Sequence, residues 1–479
     1  MRRTINMPKF SGKHKNRAGF SLALLSIVVI SVSIFSCAGP EPPSVKAGFG
    51  DRIITPKGML QMRGFARSQV ATGTHDDLHV RSLVIEDVNE TAVAIVTVSL
   101  CGIGRDIVER IREGVETETG IAQSNVLVTV THTHSGPSID KAGPEYQAFV
   151  VEESVGSVVD AWNSRAYARI GTGPATVMEL GRNRRVLLYG GLHPDPEAGI
   201  IKIEDATGKL TGVVFNYGCH PSALDWHNSL YSEDWPYYAI KGIQETLGEN
   251  VAVAYLQSAQ GNINVGYSAE LSAVGVDMPV RSYEYIEHKG RQMRDAVLEA
   301  LPKITTSGAI TVDSAQEIFN YPLRNSFPIS LSDAERDAVS AENMLASLEK
   351  QQALTGTRIL DRVRMEVFQT GQRLNTARNF YSSNDHGGTV AHEQQAIRIG
   401  NAVFVGLPGE VFAEVGLRIK EESSFEQTFL IGLANGYGGY LPSAKEYIEG
   451  DYEVDGCKYS PEAEDVCVES SLKLILKLR

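Results

Sequence analysis

Long apolar runs are the feature that most constrains the fold of this chain. Segments such as TAVAIVTVSL, NVLVTVTH and VAVAYLQS are almost continuously apolar and rich in valine. This composition is typical of strands that are buried on both faces. Helical patterns lie between the runs, for example RDIVERIREGVETETG, which ends at a glycine. Strands that alternate with helices predict an α/β fold, with layered mixed β-sheets flanked by helices.

The first residues have the features of a secretory signal. Basic residues without acidic ones precede FSLALLSIVVISVSIF, which is shorter than the roughly 20 residues of a membrane-spanning helix. The following IFSC is similar to a bacterial lipobox, whose cysteine becomes lipidated. We therefore expect a signal peptide over 1–36, a lipid on Cys37 and a flexible tether over 37–46. An ordinary signal with an incidental cysteine is the alternative. Residues 47–479 would then be extracytoplasmic, anchored in the cell envelope (periplasm or outer membrane).

Charge and cysteine content restrict partners and crosslinks. The net charge of −13 disfavours nucleic acid as a partner, because phosphate binding needs clustered positive charge. Membrane attachment is expected through the lipid alone. Cys457 and Cys467 lie ten residues apart in what reads as a polar loop, which predicts a disulfide in an oxidising compartment. Cys101 and Cys219 follow apolar strands and are expected to be buried thiols.

Residues 331–378 read as a helical insertion in the domain. Two amphipathic helices separated near Thr355 and Gly356 are expected, and Ser332 with Glu335 forms a capping box at the start. The charges of this insertion are expected to form a solvated face.

Polar side chains follow several of the apolar runs. His132 and His134 come after VLVTV, and alternation along a strand would place both on the face of Val126, Val128 and Val130. Ligands bind outside the carboxyl ends of strands in α/β sheets, so these ends are expected to converge. The other polar residues in such positions are His220, Asn262, Asn264, Glu410, Asn435, Tyr437 and Tyr440.

The residue types in these positions suit zinc chemistry. Catalytic zinc sites use three imidazole or carboxylate ligands and an open position for water, whose pKa the metal lowers. His132, His220 and Glu410 could form this trio, and a tyrosine could bind the metal or stabilise an oxyanion. Other interpretations stay open, because Glu410 could favour a helix dipole and Tyr440 could simply pack. A structural role is expected for His75, His79, His227, His288, His386 and His392.

Several motifs in matching order give the chain a resemblance to a known family. THTHSGP, GCHPS, SAQGNIN, PGEVF and NGYGGYLPSAKEYIEGDYE resemble the motifs of neutral, non-lysosomal ceramidases and their bacterial relatives. The resemblance spans roughly residues 47 to 455 and implies a ceramidase-like catalytic domain over 47–479. It implies a zinc ion, one per chain, and a zinc-activated water that hydrolyses the N-acyl bond of a ceramide-like lipid.

The resemblance also implies roles for individual residues. The positions that match the zinc ligands of the family are His132, His220, Glu410 and Tyr440. The positions that match groups on the substrate side are His134 and Tyr452, at the scissile carbonyl, and Arg184. Asn264 would position water or substrate.

Two positions depart from the family pattern. The family carries G-D-x-S-P-N, whereas this chain reads GNINVG, so Asn264 replaces a serine and Asn262 an aspartate. The amide of an asparagine cannot act as a nucleophile. A mechanism in which a metal activates water needs no side-chain nucleophile, because the water attacks. Two alternatives therefore stay open: a zinc hydrolase of another ester or amide, and a non-catalytic envelope protein that keeps the fold for binding.

Overall fold

A computed structural model describes residues 44–65, 69–185, 191–224, 227–265, 281–351, 357–383 and 387–479. The expected signal peptide (1–36) and the lipid site at Cys37 lie outside these residues. The expected tether ends within the fold, because Lys46 already begins the first strand. Among the described helices, none combines the length and apolar composition that crossing a membrane requires.

The elements alternate along the chain as the apolar runs predict. The strands are β1 (Lys46–Ile53), β2 (Gly73–Thr74), β3 (His79–Glu86), β4 (Ala92–Val98), β5 (Val126–Val130), β6 (Ala166–Thr176), β7 (Arg182–Asn183), β8 (Glu197–Asp205), β9 (Leu210–Tyr217), β10 (Leu230–Tyr231), β11 (Ala252–Gln257), β12 (Ile263–Asn264), β13 (Val312–Pro322), β14 (Thr389–Ile399), β15 (Ala402–Gly406), β16 (Glu410–Val411), β17 (Gln427–Ile431) and β18 (Tyr440–Leu441). The α-helices are α1 (Arg105–Thr119), α2 (Pro144–Asn163), α3 (Trp235–Leu247), α4 (Tyr283–Ala300), α5 (Leu331–Lys350), α6 (Thr357–Ser382), α7 (Ala413–Glu422), α8 (Glu446–Glu449), α9 (Tyr452–Asp455) and α10 (Ala463–Lys477). Short 3-10 helices lie at Gln123–Asn125 and Leu301–Lys303.

The larger sheet is mixed and brings its two edges together. Its strand order is β11-β9-β8-β6-β1-β3-β4-β5, with parallel pairing of β4 with β5 and of β9 with β11. The edge strands β5 and β11 approach each other, and Gln257 Nε2 donates to the Thr131 carbonyl at 3.2 Å. The carboxyl ends of these two edges therefore lie close together.

A second mixed sheet, of order β13-β14-β15-β17, packs face to face against the first. Leu83, Ile95 and Leu127 of the first sheet share an apolar cluster with Phe404 and Phe429 of the second. Alternate residues of the first sheet pack against α1 and α2, and α7 and α10 cover the outer face of the second. Both faces of the central strands are thus buried, and the predicted α/β fold with layered mixed sheets is confirmed.

Two helices, α5 and α6, occupy the segment read as an insertion. Their contact buries a small apolar cluster that includes Ala338 and Leu374. The predicted capping box was wrong by two residues, because Ser330 caps α5 and accepts the Asp333 N–H at 3.1 Å. The sequence ISLSDAE contains two overlapping Ser-x-x-acid patterns, and the helix begins at the first.

The disulfide predicted between Cys457 and Cys467 is wrong, because both are free, buried thiols. Cys467 lies in α10, which faces the core with Val468 and Leu474 rather than forming a polar loop. The Cys457 sulfur lies 3.3 Å from the Tyr447 hydroxyl instead. Two buried serines of α10, Ser470 and Ser471, interrupt its apolar face and conceal its helical periodicity in the sequence. The expected burial of the thiols of Cys101 and Cys219 is confirmed.

Candidate active site

The two histidines of THTH lie beyond the strand that precedes them. β5 ends at Val130, and His132 has a φ of 68°, in the left-handed region that non-glycine residues rarely adopt. The expectation that both histidines share the face of Val126 is therefore wrong, because the backbone turns out of the strand. This turn lets the His132 N–H donate to the Leu100 carbonyl and the His134 N–H to the Pro221 carbonyl.

Three side chains from distant parts of the chain converge at the strand ends. His132 follows β5, His220 follows β9, and Glu410 begins β16 just after β15. Glu410 Oε2 lies 3.3 Å from His132 Nε2 and 3.1 Å from His220 Nε2. The three atoms all lie within 4.8 Å of one another, and all three residues are buried.

Backbone carbonyls orient both imidazole rings. His132 Nδ1 lies 2.5 Å from the Cys101 carbonyl, and His220 Nδ1 lies 2.8 Å from the Ile263 carbonyl. A carbonyl only accepts, so each Nδ1 carries a proton, and each Nε2 is left to bind a second proton or a metal ion. The carboxylate of Glu410 is also an acceptor. Two imidazole nitrogens and one carboxylate oxygen thus converge, and both rings are held in place through Nδ1. Such a set of ligand atoms suits zinc.

Burial and charge set the protonation of this trio. Burial and the nearby Arg184 cation lower the pKa of His220 to about 4, so this imidazole is neutral at pH 7. Burial also lowers the pKa of His132, but Cys101 and Glu410 outweigh it and raise that pKa to about 10. Burial raises the pKa of Glu410, and the two histidines more than offset it and hold that pKa well below its usual range. The carboxylate is thus ionised and attracts a cation.

His134 lies at the edge of the trio. Its Nε2 is 3.4 Å from His132 Nε2, and the Phe65 ring packs edge-on against its imidazole at 4.9 Å. Burial and the other two histidines lower the pKa of His134 well below its usual value, so the ring is neutral. Cys101, His132 and His134 form a second, overlapping group whose ligand atoms lie within 4.8 Å of one another.

Two tyrosines and an arginine adjoin the carboxylate. Tyr440 pairs directly with Glu410 across β16 and β18, and its hydroxyl accepts from Arg184 Nη2 at 3.1 Å. The ring of Tyr452 lies 5.9 Å from that of Tyr440. Arg184 is buried and also donates to Glu453 Oε1 at 2.8 Å. Burial and Glu410 raise the pKa of Tyr440 well above its usual value, so its hydroxyl keeps the proton.

The two asparagines of GNIN have different surroundings. Asn264 is fully buried in β12, where it pairs with Arg182 of β7. Asn262 Oδ1 accepts the Ala413 N–H at 3.0 Å, and its Nδ2 donates to Glu414 at 2.7 Å. Asn262 therefore anchors the start of α7, which lies three residues beyond Glu410, and so helps to position that carboxylate.

Sequence reasoning gave no role to Tyr437, although its hydroxyl donates to Glu410 Oε1 at 2.8 Å. In the sequence, its place near Tyr440 in NGYGGY could have pointed to this contact. The carbonyls of Cys101 and Ile263, which orient the imidazoles, carry no signal in the sequence because every residue has a carbonyl.

Residues 46–266 match the family described as neutral/alkaline non-lysosomal ceramidase, N-terminal. The neutral ceramidase of Pseudomonas aeruginosa is 22% identical over 93% of this chain and 73% of its own length. The chain is therefore similar to neutral ceramidases along most of its length, and its residues 46–266 match the model of that family. The predicted resemblance is confirmed, and it supports an amidohydrolase.

Other ceramidases show the same similarity. The neutral ceramidase of Mycobacterium tuberculosis is 21% identical over 82% of this chain and 70% of its own length. The crystal structure of the Pseudomonas aeruginosa neutral ceramidase matches with a TM-score of 0.69 at 19% identity, over 91% of this chain and 75% of that one. This structural likeness establishes a shared fold.

Proposed function

We propose that this chain is a zinc-dependent amidohydrolase that cleaves the N-acyl bond of a ceramide-like lipid. The observation that carries the proposal is the convergence of His132 Nε2, His220 Nε2 and Glu410 Oε2 within 4.8 Å. We assign to this trio, with Tyr440 beside it, one zinc ion per chain. The similarity to neutral ceramidases supports the substrate class.

Zinc held by these residues would supply a Lewis acid and a water of lowered pKa. The residues of the chain keep the ligand atoms available for it. The Cys101 and Ile263 carbonyls hold the two imidazoles with Nε2 turned inward. The Tyr437 hydroxyl donates a hydrogen bond to Oε1 of Glu410, and Oε2 is left to face the imidazoles. This preorganisation reduces the ordering that ligand binding requires.

We assign His134 and Tyr452 to the scissile carbonyl. Both lie beside the trio, and a neutral imidazole or a protonated phenol can donate a hydrogen bond to the oxygen as negative charge develops on it. The Arg184 cation holds the Tyr440 hydroxyl at 3.1 Å and adds positive charge on the same side. Asn264, buried in β12, would orient water or substrate through its amide.

A three-substrate assay tests this function. Purified protein is given a fluorescent ceramide, an acyl ester of the same chain length and a short peptide-like amide, before and after chelation. We expect ceramide hydrolysis that is lost on chelation and restored by about one equivalent of zinc. Ester cleavage without ceramide turnover would contradict the substrate class, and bound zinc without any hydrolysis would favour a binding protein.

A pair of histidine variants controls the same assay. His220→Ala should abolish both zinc binding and hydrolysis. His193→Gln changes another buried histidine, which lies outside the trio and whose Nε2 donates to the Gly218 carbonyl. This variant should keep both zinc and activity at neutral pH.

We also propose an extracytoplasmic location, with a signal peptide over 1–36 and a lipid on Cys37. The basic start, short apolar segment and IFSC motif support it. The full chain should fractionate with membranes, and Cys37→Ser should release the protein from them. Recovery of the full chain from the cytoplasm would contradict this location.

A further inference from the structure

A cavity of about 410 Å³ adjoins the candidate site. Helix α6 forms one wall through Thr376 and Phe380, and Tyr437 and Tyr440 form the wall nearest the site. Tyr437 donates to Glu410, so the cavity is separated from the trio by a single side chain. Its volume falls within the roughly 300–1,000 Å³ of small-molecule pockets. A substrate with its amide at the trio could place another part in this cavity.

Contacts between α6 and α9 hold this wall in place. Gln372 Nε2 donates to the Tyr452 carbonyl at 3.1 Å, and Arg373 donates to Asp455 at 2.6 and 2.8 Å. The helix that bounds the cavity is therefore fixed to the segment that carries Tyr452.

The charge of the cavity is opposite to that of the protein. Arg324 and Lys458 line it, and none of the described lining residues is a carboxylate, although the chain carries a net charge of −13. Arg324 donates to two backbone carbonyls, at 2.9 and 3.4 Å, and its positive charge also acts on the Asp455 carboxylate. The Lys458 ammonium lies 5.2 Å from the centre of the Tyr459 ring and forms no ion pair within the described part of the chain. The neighbouring Asp455 is already paired with Arg373.

We propose that this cavity binds an anionic headgroup, a sulfonate, phosphate or carboxylate, on the amine side of the N-acyl lipid that is cleaved. The inference rests on the proposed function and narrows its substrate class. An oxyanion would pair with Lys458 and lie beside Arg324, whereas the neutral headgroup of ceramide would leave Lys458 without a counter-charge. Charges that lose water on ligand binding favour a partner of opposite sign.

Matched substrates test the proposal. The value of kcat/KM is measured for lipids of one acyl chain whose amine part is a sulfonate, a phosphate, a carboxylate or neutral sphingosine. We expect at least one oxyanionic lipid to be preferred over ceramide by about tenfold. Lys458→Met should reduce this ratio about tenfold through KM. The matched control is Lys303→Met, which changes an exposed lysine paired with Glu299, and it should keep the ratio.

A binding measurement separates this inference from the proposed function. Octanesulfonate below its micellar concentration is titrated into the wild type and both lysine variants, with octanol as the neutral probe. We expect binding of the sulfonate to weaken about tenfold in Lys458→Met alone. Equal sulfonate binding by all three proteins, or a preference for ceramide that Lys458→Met leaves unchanged, would overturn the proposal. Selective sulfonate binding without turnover of any lipid would contradict only the proposed function.

Discussion

Two buried clusters of ionisable side chains in this protein differ in their balance of donors and acceptors. In the Arg81 cluster (Arg81, Glu233 and Ser99), the guanidinium donates to both Glu233 oxygens, at 2.6 and 3.0 Å, and the Ser99 hydroxyl donates to the same carboxylate. In the trio of His132, His220 and Glu410, three atoms that can each bind a metal ion face one another instead.

The difference separates a structural cluster from a ligand site. Burial is equally deep in both, since Glu233 is 0% and Glu410 is 2% exposed, so burial alone does not distinguish them. The carboxylate of the Arg81 cluster already meets donors, and no further cation is needed to satisfy it. The trio has lone pairs that only a proton or a metal ion can satisfy, which indicates a site built for a cation.

Removing the carboxylate of the trio should have the largest effect on function. Glu410→Gln keeps the shape of the side chain and removes a ligand charge, so we expect zinc to be lost and hydrolysis to fall at least about 1,000-fold. Metal analysis and steady-state kinetics measure the two effects. A variant that retained a full equivalent of zinc would show that the trio is not the metal site.

The equivalent change in the Arg81 cluster should affect stability instead. Glu233→Gln leaves the buried Arg81 with only the Asp51 carboxylate, 3.3 Å from its Nε and half exposed, and we expect a loss of about 3 kcal/mol in the free energy of unfolding. Zinc content should stay at the wild-type level. Denaturant unfolding measures the stability of the variant, and metal analysis measures its zinc content. A Glu233→Gln variant that was as stable as the wild type but lacked zinc would show that the two clusters do not differ in this way.

His193 extends the comparison to pH dependence. Its Nδ1 accepts the Asp195 N–H at 3.0 Å, and its Nε2 donates to the Gly218 carbonyl at 2.8 Å. The neutral imidazole therefore has a hydrogen-bond partner for each of its two nitrogens. Burial lowers its pKa from 6.5 to about 4. The unfolded chain therefore binds the proton first as the pH falls, and the free energy of unfolding should decrease by about 3 kcal/mol between pH 6.5 and 4.

The variant His193→Gln isolates this contribution. Unfolding is measured by denaturant titration across the same pH range, and the variant should lose less stability than the wild type on acidification. Identical slopes in the two proteins would show that His193 does not titrate differently in the folded and unfolded states.

Tyr437→Phe should have the smallest effect of the series. The change removes the hydrogen bond to Glu410 Oε1 and leaves the ligand atoms in place. Loss of such a supporting contact typically costs about 10-fold or more in metal affinity. Competition with a chelator of known affinity measures the change, and Tyr381→Phe, in α6, is the matched control. An unchanged zinc affinity would show that Tyr437 does not help to hold the metal ligands in place.

The sequence predicted the fold well because its signals are local. Apolar runs such as TAVAIVTVSL reveal strands buried on both faces, and polar residues after such runs were expected to meet at strand ends. The structure does bring His132, His220 and Glu410 together. The turn at His132, the cap at Ser330 and the free thiol of Cys467 were missed, because each depends on packing or on backbone conformation. Contacts such as that between the Ile263 carbonyl and His220 join distant segments and leave no local pattern.

Anomalous diffraction at the zinc edge, on crystals of the purified protein, tests the central claim most directly. The account predicts one peak per chain, within coordination distance of Nε2 of His132, Nε2 of His220 and the Glu410 carboxylate. A zinc peak at another place, or no peak in crystals of protein that hydrolyses its substrate, would contradict it.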